Sequence, residues 1–380
     1  VHEMSLAQAL IDEVKDVAAR ECAETVLAVT VEIGALSGAD RESPEFVFPF
    51  RQETLPVLEW AREQDAASPS DHWKTRYYLG TLFWSKHRTQ RAAELFDACG
   101  DMPNFAPFYV ARASLQKERS LEGAANASIA DDLHRATELD PSAWRAWRAR
   151  ITHHGGTGAH EEALRVSQAA YDRFPDNYYI GLEHAAMLLE NGQYAESARV
   201  LDQARVLPHE GAQRGHTLFE QTHVMLALQE MESGAHGEAV QHLERSKEWP
   251  EHLGVGKPFD PDQRMQNYLQ AYAYRQLGND REAQARLQAV AEYTMEHRSA
   301  GGVGHYLGAV ALRELGDAAA AQKLINDWEA AGSDRLLVQW AVASFQGNDQ
   351  QAEALGQKLD ARRPDTSPYG MLRAFMAARR

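Results

Sequence analysis

Two stretches decide how this chain reads: NYLQAYAYRQLGNDREAQARL, residues 267–287, and HYLGAVALRELGDAAAAQKLI, residues 305–325. Laid together without a gap, they agree at Tyr268/Tyr306, Leu269/Leu307, Ala271/Ala309, Arg275/Arg313, Leu277/Leu315, Gly278/Gly316, Ala283/Ala321 and Leu287/Ile325. Each is two runs of helical periodicity joined at a glycine. The frame recurs around Gly158, Gly192, Gly234 and Gly347. A small residue follows each of these glycines by five positions (Ala163, Ser197, Ala239, Ala352), and another often precedes the frame glycine by seven (Ala185, Ala227, Ala271, Ala309). An earlier copy uses Gly80 and Ala92, with His87 where the turn glycine belongs. The pattern has a steric reason. Small residues let the two helices of a pair cross closely, and glycine supplies the left-handed residue that ends the first helix. Pro141, Pro175 and Pro208 close repeats, because proline cannot continue a helix. The glycines at 158, 192, 234, 278, 316 and 347 are spaced by 34, 42, 44, 38 and 31 residues, so the longer intervals carry insertions in the turns.

Composition narrows the function classes. Of 380 residues, 44% are hydrophobic and 25% charged, the mix of an ordinary folded protein. The net charge of −16 repels phosphate backbones, so nucleic acid is not an expected partner. The two cysteines, Cys22 and Cys99, form neither a disulfide framework nor a CxxC zinc motif. No run approaches the ~18 apolar residues of a membrane span. The first 25 residues carry Glu3, Asp12, Glu13, Asp16, Glu21 and Glu24, unlike a secretion signal, so the expected compartment is the cytoplasm.

From about residue 46 to 380 the helix pairs resemble the tetratricopeptide-repeat (TPR) family. Trp147 stands at its first-helix aromatic position, and Phe96, Leu201, Leu243 and Leu287 at its large apolar second-helix position. The resemblance implies an all-α fold, a right-handed α-solenoid of helix pairs whose concave groove binds partners. In the repeat frame, the groove-facing residues include Lys74, Tyr77, Trp84, Arg145, Arg148, Tyr268, Tyr272, Arg275, Tyr306 and Arg313. Aromatics and arginines anchor interfaces, and arginine forks match carboxylates. The expected occupant is a protein or peptide; a glycan stacked on the aromatic faces is a further option. A last helix around Met371–Met376 is a candidate end cap. The phrase FVFPFRQETLPVLEWA (46–61), followed by DHWKTRYYLGTLFW, also resembles the helical tail of large bacterial glycan-active proteins.

The first 45 residues differ in kind. Leu6, Leu10, Val14 and Val17 have helical spacing, and TVLAVTVEI (25–33) reads as a buried strand before Gly34 and Gly38. His2, Glu3, Met4 and Ser5, then Glu32, Ile33, Gly34, Leu36, Ser37 and Gly38, resemble the opening of the HypA family, nickel-incorporation proteins for hydrogenase and urease. That resemblance implies a nickel site at His2 and Glu3, where imidazole and backbone nitrogen suit square-planar Ni(II). The family continues into a zinc domain with two CxxC pairs, which this sequence lacks. The expected organisation is therefore a truncated HypA-like helix–strand segment over 1–45 and the repeat domain over 46–380.

Three other constellations have functional and structural readings. His216, Glu220 and His223 share a helical face and could ligate zinc, or stand on a solvated face. His153, His154 and His160 flank the GGTG turn at 155–158. GVGK at 254–257 lacks the spacing of a phosphate loop and reads as a long connection, suited to partner contact. No GxSxG elbow occurs. The expectation is a non-enzymatic interaction scaffold with no required cofactor. The alternatives are a nickel metallochaperone acting through the N-terminal segment and an accessory region of a glycan-active protein.

Overall fold

The left-handed turn residue organises the molecule. In a computed structural model, φ is +79° at Gly158, +74° at Gly192, +84° at Gly234, +72° at Gly278, +94° at Gly316 and +73° at Gly347. His87 takes φ +58°, the non-glycine residue at the same place in its pair. After each of these residues the next N–H reaches back five positions, as in Arg88 N to Phe83 O (2.9 Å), Gln193 N to Leu188 O (2.9 Å) and Asn279 N to Tyr274 O (2.8 Å). This is a Schellman closure, which satisfies carbonyls that the helix end would leave orphaned.

The structure describes residue 20 and residues 55–65, 73–119, 126–208, 212–298, 301–332, 335–361 and 365–379. Helix α1 is Leu55–Asp65. Pairs follow: α2 (Trp73–Ser85) with α3 (Thr89–Asp97), α4 (Ala106–Arg119) with α5 (Asn126–Leu139), and α6 (Trp144–Gly156) with α7 (His160–Arg173). Next come α8 (Tyr178–Glu190) with α9 (Tyr194–Gln203), and α10 (Arg214–Ser233) with α11 (His236–Arg245). The last pairs are α12 (Arg264–Gln276) with α13 (Asp280–Glu296), α14 (Val303–Glu314) with α15 (Ala318–Gly332), and α16 (Leu336–Phe345) with α17 (Asp349–Asp360); α18 (Pro368–Ala378) stands alone. Among the described residues there is no strand. The fold is an all-α, TPR-like solenoid of helix pairs. The predicted N-terminal strand, and His2 and Glu3 with it, lie outside the described residues.

Two compact units result, Val1–Ala149 and Arg150–Arg380. In the first, Tyr77, Phe96 and Phe108 form an aromatic centre with ring centroids 5.7–5.9 Å apart. Leu55 and Leu58 of α1 pack onto that core. Cys99 is fully buried there, and burial pushes its thiol up to about 11, so it is an inert core residue. In the second unit the small residues lie at the crossings: Ala163, Ser197, Ala239, Ala185, Ala227 and Ala309 are completely buried. Ser197 Oγ donates to Ala185 O at 2.9 Å, across the crossing of α8 and α9. The insertions around α10 brace each other. Val206 N donates to His252 O (2.9 Å), and a side chain on Gly254 would sit 2.9 Å from Val206 Cγ1. The GVGK glycine thus serves a turn and a close backbone approach.

Close approach also joins successive pairs. A methyl added at Gly308 of α14 would lie 2.3 Å from Thr294 Oγ1 and 2.6 Å from Thr294 Cβ, on the buried face of α13. Gly308→Ala should therefore destabilise the protein by about 1–3 kcal/mol, although alanine favours helix. Gly237→Ala in α11, where a methyl meets nothing within 4 Å, should be neutral or stabilising. Urea unfolding of the two variants checks the contrast.

Candidate functional site

The second unit carries the candidate site, the face formed by the first helices of its pairs. A repeat in a solenoid touches only its neighbours. Helix α18 instead touches α10 and α14, α12 through Phe375, α16 through Tyr369 and α17 through Arg373. Since α10, α12, α14 and α16 each open a pair, α18 lies along the face formed by the first helices. It does not merely end the array as a cap.

Local sequence makes α18 a helix. Ser367 caps it, accepting from Gly370 N at 3.0 Å, and Pro368 occupies the first turn. Tyr369, Leu372 and Phe375 recur every three residues and are at most 1% exposed; Met371 is buried beside them. Phe375 stands edge-on to Tyr272 and Tyr268, at 5.0 and 6.0 Å between ring centroids. Tyr369 stands edge-on to Trp340 at 5.0 Å and donates its hydroxyl to Gly356 O at 3.3 Å. Arg373 forks onto Glu353 (3.2 and 3.3 Å) and reaches Asp360 at 3.3 Å. Arg379 lies 5.2 Å over the Tyr272 ring. Beside α18 a cleft of about 550 Å³ is lined by Tyr194, Met225, Glu353, Asp360, Arg373 and Ala377.

Five sequence-predicted groove residues come together here. Tyr268 (6% exposed) and Tyr306 (7%) are closed over, Tyr306 by Trp340 at 5.2 Å. Tyr268 donates to Glu314 Oε1 at 3.1 Å, and burial beside that carboxylate holds its phenol protonated well above the usual range. Tyr272 is half-buried under Phe375 and Arg379. Arg275 donates to Glu314 Oε2 at 2.5 Å. Arg313 donates to Phe345 O at 2.8 Å and covers the Phe345 ring at 4.3 Å. Both arginines thus have partners within the chain, so neither fork points outward unengaged. Sequence reasoning missed Glu314 and the occupancy by α18. The sequence marks a last helix around Met371–Met376 only as a candidate end cap, and no local signal says where it docks.

The other five predicted residues belong to the first unit. Tyr77 is 2% exposed and part of the aromatic core. Trp84 is half-buried and donates Nε1–H to Glu118 Oε2 at 2.6 Å. Lys74 and Arg145 are exposed and sit over the rings of Trp73 (5.8 Å) and Trp144 (4.5 Å); Arg148 is half-buried.

The histidine constellations dissolve into separate contacts. His216 stacks on Trp249 at 3.4 Å, Glu220 accepts from Gln266 Nε2 at 2.7 Å, and His223 Nδ1 faces His242 Nδ1 at 3.3 Å. Both imidazoles of that face are 6% exposed, so the face is buried in packing instead of solvated. His153 is also buried, while His160 approaches Glu190 at 3.4 Å. Among the described residues no group of three or more His, Cys, Asp or Glu side chains is placed to hold a metal ion. Nor is any described helix long and apolar enough to cross a membrane.

Known proteins resemble this chain over different spans. The family "Hydrogenase/urease nickel incorporation, metallochaperone, hypA" matches residues 1–62, which reaches into α1. No curated protein matches in sequence. A tetratricopeptide repeat protein from Parabacteroides merdae is similar at 12% identity and TM-score 0.44, over 72% of this chain and 98% of its own. PilW, a type IV pilus biogenesis factor, is similar at 15% identity and TM-score 0.35, over 58% and 94%. In a Naa15/Naa10 complex with HypK, the matching chain has 11% identity and TM-score 0.43, over 99% of this chain and 55% of that one. The turns and crossings described above, and not these distant likenesses, carry the fold.

The facing imidazoles set a pH dependence. Burial, then the neighbouring His242, pushes His223 down to about 4 from an ordinary 6.5. The unfolded chain therefore takes up a proton that the folded one refuses. This contribution is fully favourable above about 6.5 and is lost as pH falls towards 4, by about 3 kcal/mol for so buried a group. Urea unfolding across that window should show a shallower decline in His223→Gln than in the unaltered chain.

Proposed function

We propose that the chain is a non-enzymatic scaffold that holds a segment of a partner protein on the concave face of residues 150–380. The observation that carries this reading is α18 itself. An eleven-residue helix already lies on that face, with Phe375 between Tyr268 and Tyr272. The face has the dimensions and the chemistry for helix-in-groove recognition, in which apolar anchors recur along one helical stripe. A glycan fits less well, because Tyr268 and Tyr306 are closed over and offer no open ring face. A photo-crosslinker replacing Arg275, at the rim of the face, should capture a discrete protein from native cells. The same group at the exposed second-helix position Gln288 should not. Equal capture at both positions, or none at Arg275, overturns the assignment of the face.

A second reading rests on the HypA match over residues 1–62. Here the N-terminal segment handles nickel as cargo through His2 and Glu3, with the repeat array as its carrier. Calorimetric titration of the untagged chain should give about one nickel per chain, abolished by His2→Ala. Absence of binding in the unaltered chain discards this reading.

A further inference from the structure

Helix α18 is held by contacts of a kind that a separate ligand would make. It follows α17 through the short connection 361–367, yet its anchors sit on α10, α12, α14 and α16. Its residues Ala374, Ala377 and Ala378 are exposed, so it is a surface-laid helix and not a central one. Its charge is opposite to that of its seat. Residues 367–379 contain Arg373 and Arg379 and no acid, whereas α17, beside it, presents Glu353 and Asp360 to Arg373, in a chain of net charge −16. Within the first-helix face Arg275 is paired with Glu314, and Arg313 donates to the neutral Phe345 O and keeps its charge. The carboxylates that meet the guanidinium of an incoming segment are therefore Glu353 and Asp360 of α17.

We infer that α18 is a built-in pseudoligand, and that the partner displacing it is a basic amphipathic helix with an aromatic or leucine anchor at every third residue. This rests on the proposed scaffold reading and names its partner class. The partner needs an aromatic ring for the Tyr268/Tyr272 seat. It also needs a guanidinium one turn or less away for Glu353 and Asp360, as Phe375 and Arg373 provide in cis. Tethering gives α18 a millimolar-scale effective concentration, so it silences the groove against weak competitors. A partner must bind the vacated face more tightly than α18 does, which makes occupancy a matter of competition.

The test uses a fluorescein-labelled peptide of residues 365–379 and the full chain. Leu372→Ala/Phe375→Ala in cis should raise affinity for the peptide about tenfold or more over the unaltered chain. A peptide carrying Phe375→Ala should lose that binding, and raised salt should weaken it, as Arg373 requires. If the double variant keeps its helical circular dichroism and monomeric elution but binds the peptide no better, the inference is overturned. Should that variant fail to fold, a protease site placed in the full chain between residues 361 and 365 decides. After cleavage, exchange of the freed segment for labelled peptide supports the pseudoligand. Aggregation, or a segment that never exchanges, shows that α18 is a fixed part of the core and overturns it. Failure here with capture still seen at Arg275 would leave the scaffold reading standing and remove only this partner class.

Discussion

Where helix pairs cross at small residues on both helices, as at Ala185/Ser197, Ala227/Ala239 and Ala309/Ala321, the close crossing is what much of the structure depends on. Ser197 shows the distance involved: its hydroxyl reaches the Ala185 carbonyl on the facing helix at 2.9 Å. A larger residue would hold the two backbones apart. Because each repeat rests only on its neighbours, such a change would be passed to the next pair as a tilt. The left-handed turn residue is the second half of the same constraint, since it fixes where the first helix stops and so which residues meet at the crossing. His87, at φ +58°, shows that the turn tolerates a side chain where nothing crowds it, at a modest backbone cost.

Regular crossings place the first helices of successive pairs side by side on one face. A helix laid across that face can touch several pairs at once, which no repeat does for another. Contacts within and between pairs are local in sequence, whereas Tyr268 and Phe375 are more than a hundred residues apart. Local pairs can form early and reward each residue as it is fixed. The α18 contact carries a larger loop-closure cost and adds most once its seat exists. A stable array with a late, non-local helix on its groove is the thermodynamic layout of a detachable element.

The sequence displayed the fold unusually well, because its two determinants are single-residue signals at fixed offsets. Gly278 and Gly316, with Ala283 and Ala321, gave the pair, the turn and the crossing together, and His87 could be placed by frame alone. The candidate site was legible only in part. The frame set Tyr268, Tyr272 and Tyr306 on first helices of their pairs, and the structure brings Tyr268 and Tyr272 together under Phe375. Their burial was not legible, because α18 comes from outside the repeat frame and nothing local encodes its docking. Nor was the engagement of the predicted groove residues Arg275 and Arg313 legible: their partners, Glu314 and the Phe345 carbonyl, each lie two helices further along the chain. In the first unit, Tyr77 shares the frame position but meets Phe96 and Phe108, so an aromatic there became core.

The two kinds of contact on α18 do different work. The Arg373–Glu353 pair is partly exposed, with 21% and 42% of its side chains accessible, so it contributes at most about 1 kcal/mol. Phe375, fully enclosed, contributes several times that by burial, on the scale of the ~3–5 kcal/mol lost in Phe→Ala truncations. Tightness is therefore set by the apolar stripe, which many amphipathic helices share. For the proposed partner, the sign of the charge would set which of them are admitted. An acidic helix would bring its carboxylates against Glu353 and Asp360 and be repelled, while a basic one would be steered in and oriented. Under that proposal the two carboxylates of α17 separate specificity from the affinity of the aromatic seat, because one weak surface ion pair can exclude partners that it could never by itself hold.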